Sequence, residues 1–346
     1  MALSLCLNMI VKNEAKIIAR SLRSVRPFIT SYAISDTGST DGTEEVIRQE
    51  LAGIPGEIHH EPWVDFSHNR NLALSHATGD YVLLMDADEV LEHSGGEIEL
   101  LPQFDGFHIS LRLGDMVYSK VKVVRNDGRW TYEGRTHEFI GHTPEPNLSM
   151  IPNLRIMEYD DSYSRVTGEK FLRDLAVFES EPTTPRNLFY HAQTLKALGR
   201  HEEAYEKYVA RAEAGGWEEE VYYSLWMAGN LLAAMKRPLD EIAGALYRAY
   251  TYRPARYEAL VELSHVLGEA LRNEERYRLT AFTPVTPTDI LFVDARATWR
   301  ILEEHALAAF YTGRIQEAKE WFERILEFDL SERDRERTVR NIDFCL

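Results

Sequence analysis

Over residues 1–155 short apolar runs alternate with stretches of helical periodicity. Residues 3–11 are rich in Leu, Ile and Val and read as a buried strand, interrupted by Asn8. Asn13-Glu14 opens a helix-period segment through Val25. Residues 32–35 are a second apolar piece, ending at Asp36 and the turn Thr37-Gly-Ser-Thr-Asp-Gly42. Asp41 followed by Glu44 predicts a helix N-cap with a capping-box partner. A further helical pattern over 72–76 stops at Gly79, and 81–85 is a continuous apolar strand. Strand, helix, strand, helix, strand is the order of an α/β layer with a mostly parallel, buried sheet. Residues 107–113 and 117–124 read as two antiparallel strands around Gly114-Asp115.

From about Tyr163 strand-like runs give way to helical periodicity rich in Ala, Leu, Glu and Arg. Two segments share a spacing. In one, Gly199-Arg200 is followed by Ala204 and then Tyr208; in the other, Gly313-Arg314 is followed by Ala318 and then Phe322. A small residue that lets two helices approach closely, placed after a tight turn, is the spacing of a tetratricopeptide-like helix pair. Degenerate helical pairs lie around 218–253 and 256–280, with a Pro-containing break over 281–288. The expected domains are therefore 1–160, α/β, and 161–346, an all-α helical repeat.

Composition changes little in that picture but excludes several classes. The 346 residues are 44% hydrophobic and 27% charged, a globular balance large enough for two cores. The net charge of −17 argues against a protein that grips a phosphate backbone by charge neutralisation. The two cysteines, Cys6 and Cys345, lie at opposite ends and make no disulfide framework, so a reducing cytoplasm is the expected location. The apolar start lacks the basic region and cleavage site of a signal peptide, and no apolar run has the length of a membrane span.

The chemistry concentrates at Asp86-Ala-Asp88, directly after the strand over 81–85. Open α/β sheets bind ligands at the carboxyl ends of their strands, and alternate residues of an extended chain project to one side. Two carboxylates there suit Mg²⁺ or Mn²⁺, which also take oxygens from a substrate phosphate. Asp36 ends a second strand and could accept from a base N–H or a ribose hydroxyl, although turn chemistry alone also accounts for it. Neither the phosphate-loop nor the dinucleotide glycine motif is present. His59, His60, His68 and His76 lack metal-ligand spacing, Cys6 reads as a core residue, and the aromatics of the helical half read as packing.

Four segments together resemble the family 2 glycosyltransferases of the GT-A fold. They are Ser4-Leu-Cys-Leu-Asn-Met-Ile-Val-Lys-Asn-Glu14, Ser35-Asp-Thr-Gly-Ser-Thr-Asp-Gly-Thr43, Asn69-Arg-Asn-Leu-Ala73 and Gly79-Asp-Tyr-Val-Leu-Leu-Met-Asp-Ala-Asp-Glu89, in that family's order and spacing. Trp130-Thr-Tyr-Glu-Gly-Arg-Thr-His-Glu138 is similar to the end of the catalytic domain in a bacterial and phage branch that often carries tetratricopeptide-like helices. The resemblance implies a GT-A nucleotide-sugar-binding domain and a metal-dependent, inverting, hexosyltransferase-like enzyme using a UDP-linked donor with Mn²⁺ or Mg²⁺. Asp36 would then bind the uracil or ribose, with Asn13 and Glu14 beside the nucleotide and Arg70 near the phosphates or sugar. Asp88 would be the principal metal ligand. Asp86 would contact the ribose, the sugar or the metal, and His137 could complete the metal site. Candidate bases that deprotonate the acceptor are Glu138 and Glu133, with Glu89 a further possibility. The departure is Thr37, where many members carry a second Asp.

The resemblance leaves the acceptor open among a saccharide, a peptide or protein, and modified DNA. The helical half would bind that acceptor, a protein partner or a second copy of the chain. A scaffold with a vestigial transferase domain is the rival from another class, and a nucleotidyltransferase releasing pyrophosphate is a third.

Overall fold

The computed structural model describes residues 3–136, 138–159, 161, 169–282 and 287–346, with only the backbone described for 169 and 170. The chain divides into two compact units, Met1–Ser180 and Glu181–Leu346. In the first unit, strands β1 (Leu5–Val11), β2 (Ser31–Asp36), β3 (Gly56–His60) and β4 (Tyr81–Leu84) alternate with helices α1 (Ile18–Val25), α2 (Thr43–Glu50) and α3 (Phe66–Ser75). Strands β5 (Glu89–His93), β6 (Gly106–Leu113), β7 (Met116–Arg125), β8 (Trp130–Glu133), β9 (Phe139–His142) and β10 (Leu148–Glu158) follow, then helix α4 (Glu169–Ser180).

The main sheet runs β3-β2-β1-β4-β7-β6-β10-β5. Its first four strands are parallel, with Val11 opposite Asp36 and Asn8 opposite Leu84. β7 is antiparallel to both β4 and β6, β10 is parallel to β6, and β5 is antiparallel to β10. This is the α/β layer that the apolar runs predict. β4 is buried throughout and β1 at every position but Ile10, as befits a sheet covered on both faces. Asn8, the polar interruption of β1, is 5% exposed and spends its amide on the fold. Its Nδ2 donates to the carbonyls of Ala33 on β2 (3.0 Å) and Ala73 on α3 (2.7 Å), tying that helix to the sheet.

The start of α2 differs from expectation. Gly42, at φ 92°, is the N-cap, and Asp41 lies one residue outside it. Asp41 Oδ1 still accepts from the Thr43 hydroxyl (2.6 Å) and N–H (3.1 Å), while Glu44 turns along the helix to Arg48. The glycine is needed because the chain enters the helix through the left-handed region. The expected boundary after 160 falls within the first unit, which α4 joins: Thr136 donates to fully buried Asp174 at 2.7 Å.

The second unit is built of helix pairs: α5 (Pro185–Ala197), α6 (His201–Glu213), α7 (Glu218–Ala234), α8 (Leu239–Tyr252), α9 (Glu258–Glu269), α10 (Asn273–Thr280), α11 (Ala297–Tyr311), α12 (Ile315–Ile325) and α13 (Glu332–Asp343). Ala204, Tyr208, Ala318 and Phe322 are all buried at the helix crossings. The Gly-Arg turns end α5 and α11 with the same backbone closure. Arg200 N–H reaches the Leu195 carbonyl at 2.9 Å, and Arg314 N–H reaches Ala309 at 2.9 Å. Two more such closures occur between them, where Arg237 reaches Leu232 and Arg272 reaches Leu267. There the left-handed position is held by Lys236 (φ 55°) and Leu271 (φ 60°). The repeat therefore recurs with non-glycine residues, which is why its middle copies look degenerate in sequence. Part of the break over 281–288 lies outside the described residues.

Candidate active site

The carboxyl ends of β1, β2 and β4 lie side by side and carry most of the candidate residues. At β2, Asp36 is 4% exposed, and its Oδ1 accepts from the N–H groups of Gly38 (2.8 Å) and Ser39 (2.7 Å). Thr37, where a second Asp was possible, is buried and bonds the Val11 carbonyl through both N–H and hydroxyl. Asn13 has φ 57° and clasps this turn: its N–H donates to Ser39 Oγ (2.9 Å) and its Oδ1 accepts from Thr40 N–H (2.8 Å). Glu14 N–H donates to Thr43 Oγ1 (2.8 Å). Asn13 thus braces the turn that follows Asp36, and Glu14 N–H ties the same segment to the start of α2.

Helix α3 supplies the next layer, and its Asn69-Arg-Asn71 segment has three distinct jobs. Asn69 is fully buried and secures the entering loop, accepting from Val64 N–H (2.9 Å) and donating to the Pro62 carbonyl (3.0 Å). Asn71 clamps β8 by donating to the Tyr132 carbonyl (2.9 Å) and accepting from its N–H (2.7 Å). Arg70 lies between them. Its Nη2 meets Asp86 Oδ1 and its Nε meets Glu138 Oε1, both at 2.6 Å, with the Tyr132 ring 5.5 Å away. Burial alone would favour losing the Arg70 proton, but Asp86 and Glu138 hold its pKa well above the ordinary value. Burial likewise pushes the Asp86 carboxyl up, yet Arg70 first, then Lys122 and Lys120, keep it well below the usual carboxylate range. Asp86 therefore stays ionised while 36% of its side chain reaches solvent.

Asp88 is 7% exposed, and its carbonyl accepts from Tyr159 N–H at 3.0 Å. Glu89 is fully buried, with both oxygens on Lys122 Nζ (2.6 and 2.8 Å) and one also accepting from Asp86 N–H (2.9 Å). It braces the Asp-Ala-Asp turn and is closed to an acceptor, which removes it as a base. Glu138 is part-buried against Arg70, whereas Glu133 is exposed and its carboxylate makes no hydrogen bond or ion pair among the described residues. His137 lies outside the described residues. Asp86 and Asp88 offer hard oxygen ligands, and Asp86 is held ionised, so the donor set fits a divalent cation completed by phosphate oxygens.

Lys120, Lys122 and Tyr132 were not singled out from the sequence. The signal was Lys-Val-Lys inside a strand: alternate residues share a face, so two cations are aimed together. The β6–β7 register slips here, with Phe107 opposite Val123 but His108 opposite Val121, which leaves Lys122 as the extra residue of a bulge. Bulges re-aim side chains and are common beside active sites. A separate group, Asp105, Asp127 and His142, comes within metal-ligand range of one another at the other end of β4. Arg129 binds both carboxylates, at 3.1 and 2.5 Å, and satisfies their charge. Of the histidines without metal spacing, His59 and His76 stack at 3.7 Å, and His76 pairs with Glu61 at 2.6 Å.

The N-terminal unit thus presents a parallel run of strands with carboxylates at their ends, an Asp-x-Asp turn, and a guanidinium bonded to Asp86. Residues 6–101, within the first unit, match the model of glycosyl transferase family 2. A similar protein is the SPbeta prophage-derived glycosyltransferase SunS of Bacillus subtilis, 27% identical over 56% of this chain and 50% of its own length. A TPR repeat-containing protein of Synechococcus elongatus is 32% identical over 48% of this chain and 42% of its own. The chain spans about half the length of these curated relatives. A more remote likeness is to the structure of MamA, at a TM-score of 0.36 and 16% identity over 47% of this chain and 91% of that one. No helix among the described residues is long and apolar enough to cross a membrane.

Proposed function

We propose that the protein transfers a hexose from a UDP-linked donor to an acceptor nucleophile, with inversion at the sugar carbon. The observation that carries this reading is Arg70, which joins Asp86 at the end of β4 to Glu138 beyond β8 at 2.6 Å on each side. One guanidinium thus sets the separation between the donor-side carboxylate and the acceptor-side base. Asp36, in its glycine-bearing turn, receives the nucleoside. Asp88 and Asp86 hold Mg²⁺ or Mn²⁺, which when bound would offset the charge that grows on the departing diphosphate. Glu138, oriented by Arg70, takes the acceptor proton on the face opposite the leaving group. Glu133 stands aside as an exposed residue.

Charge bookkeeping supports the assignment. Asp86, Asp88, Glu89 and Glu138 give four negative groups, and Arg70, Lys120 and Lys122 give three positive ones, a net charge of −1. A divalent cation turns that to +1, which suits a dianionic diphosphate. The helical unit, whose repeats stack into an extended surface, is proposed to receive a peptide or protein acceptor or partner. The test is release of UDP from a panel of UDP-sugars, with Mn²⁺ or Mg²⁺ and again with chelator. Metal-dependent UDP release that Glu138→Gln lowers by about 100-fold or more supports the reading, on the usual scale of general-base losses. No release from any donor contradicts it.

A further inference from the structure

We propose that Lys120 is an anion-binding residue of this site, taking the diphosphate of the nucleotide-sugar; the inference rests on the transferase reading above. The other two cations of the cluster are committed. Arg70 is shared between two carboxylates, and Lys122 is bound by both oxygens of Glu89. Lys120 lies on β7 two residues from Lys122; with Leu83 opposite Val123 in the antiparallel β4–β7 pair, it stands beyond that pair toward the carboxyl end of β4, where Lys122 binds Glu89 and Glu89 accepts from Asp86 N–H. Yet among the described residues its ammonium makes no ion pair or hydrogen bond, and the Tyr118 ring lies 5.2 Å from it.

Its surroundings explain why an unpaired cation there would be used. The residue is exposed, so a ligand can reach it, while the protein packed about its stem, followed by repulsion from Lys122, lowers its pKa to about 8. An anion beside the ammonium would relieve both costs. A lysine presents a compact point charge on a flexible stem, which suits a phosphate whose position shifts as the bond to the sugar breaks. A carboxylate ligand is disfavoured by the Asp86 and Glu138 charges close by. A diphosphate brings its own divalent cation to meet them.

The full chain is titrated calorimetrically with UDP, with inorganic pyrophosphate and with uridine, each in the presence of Mg²⁺. Lys120→Met is expected to weaken UDP and pyrophosphate binding about 10- to 100-fold, the worth of one hydrogen bond to a charged group. Uridine binding stays unchanged, and Lys120→Arg restores UDP to within about threefold. Because Lys120 is exposed, an unchanged Tm accompanies the loss, and a structural role would not separate UDP from uridine. If the wild type binds UDP and Lys120→Met binds it equally, the assignment of Lys120 is overturned while the transferase reading stands. If the wild type binds neither UDP nor pyrophosphate, both are overturned.

Discussion

Replacing Arg70 tests the site's construction more sharply than replacing any carboxylate. In Arg70→Met the aliphatic bulk remains, but Asp86 and Glu138 lose a partner that each meets at 2.6 Å. Removing one member of a buried charge network costs about 3–5 kcal/mol, because it strands the other members. Here the guanidinium is 15% exposed and Glu138 13%, but Asp86 is 36%, so water screens part of the loss. We expect about 2–4 kcal/mol at pH 7 after that discount. The pH dependence carries its own sign. Asp86 has a folded pKa below its unfolded value, so its contribution is present above about pH 4 and is lost as pH falls toward the folded value. The gap between wild type and Arg70→Met should therefore narrow by roughly 0.5–1 kcal/mol between pH 7 and pH 3. Urea unfolding at the two pH values measures it. Equal stability at pH 7, or a gap that widens in acid, would refute the reasoning. Arg70→Lys should fall between, since one ammonium cannot reproduce the two-armed geometry.

Substitutions in two other places probe different parts of the molecule. Lys122→Met leaves fully buried Glu89 without its cation and should cost about 3–5 kcal/mol in urea unfolding, whereas Lys122→Met combined with Glu89→Gln should recover part of that loss. In the helical unit, Leu271 occupies a left-handed position at φ 60° and is 83% exposed, so little packing compensates the backbone cost. Leu271→Gly should stabilise the protein by about 0.5–1 kcal/mol, seen as a raised Tm, while Gly199→Leu at the equivalent turn should lower it by a similar amount.

The sequence exposes those parts of this fold whose physics is local. Strands β1 and β4 are visible as continuous apolar runs because both faces of a covered sheet are dry, and the β6–β7 hairpin is visible around Gly114. Strands β3 and β5 lie at the two edges of the sheet order, where Gly-Glu-Ile-His-His and Glu-Val-Leu-Glu-His tolerate polar residues and lose the apolar signature. Strand β10 hides behind Pro152, which falls where its register against β6 slips between Met150 and Arg155 and so removes no ladder bond within the paired segments. The strand-end acids Asp36, Asp86 and Asp88 were legible from position. What a linear reading cannot supply is pairing: that Glu89 is consumed by Lys122, that Arg70 joins Asp86 to Glu138, and that Lys120 is the cation left over. Those depend on a bulge in β7 and on α3 being fastened by Asn8 and Asn71, contacts made across the fold. The middle helical repeats were obscured for a simpler reason, since Lys236 and Leu271 stand where glycine would have announced the turn.

The central claim is that sugar transfer takes place at the carboxyl end of β4. Its most direct test is UDP release from the donor the wild type prefers, compared between Asp88→Ala and Asp127→Ala. Asp127 belongs to the carboxylate group at the opposite end of the same strand, already neutralised by Arg129. The account predicts that Asp88→Ala folds and loses turnover by about 1,000-fold, an electrostatic loss on the scale of about 4 kcal/mol, while Asp127→Ala stays within about twofold of wild type. Undiminished turnover in a folded Asp88→Ala protein would contradict it.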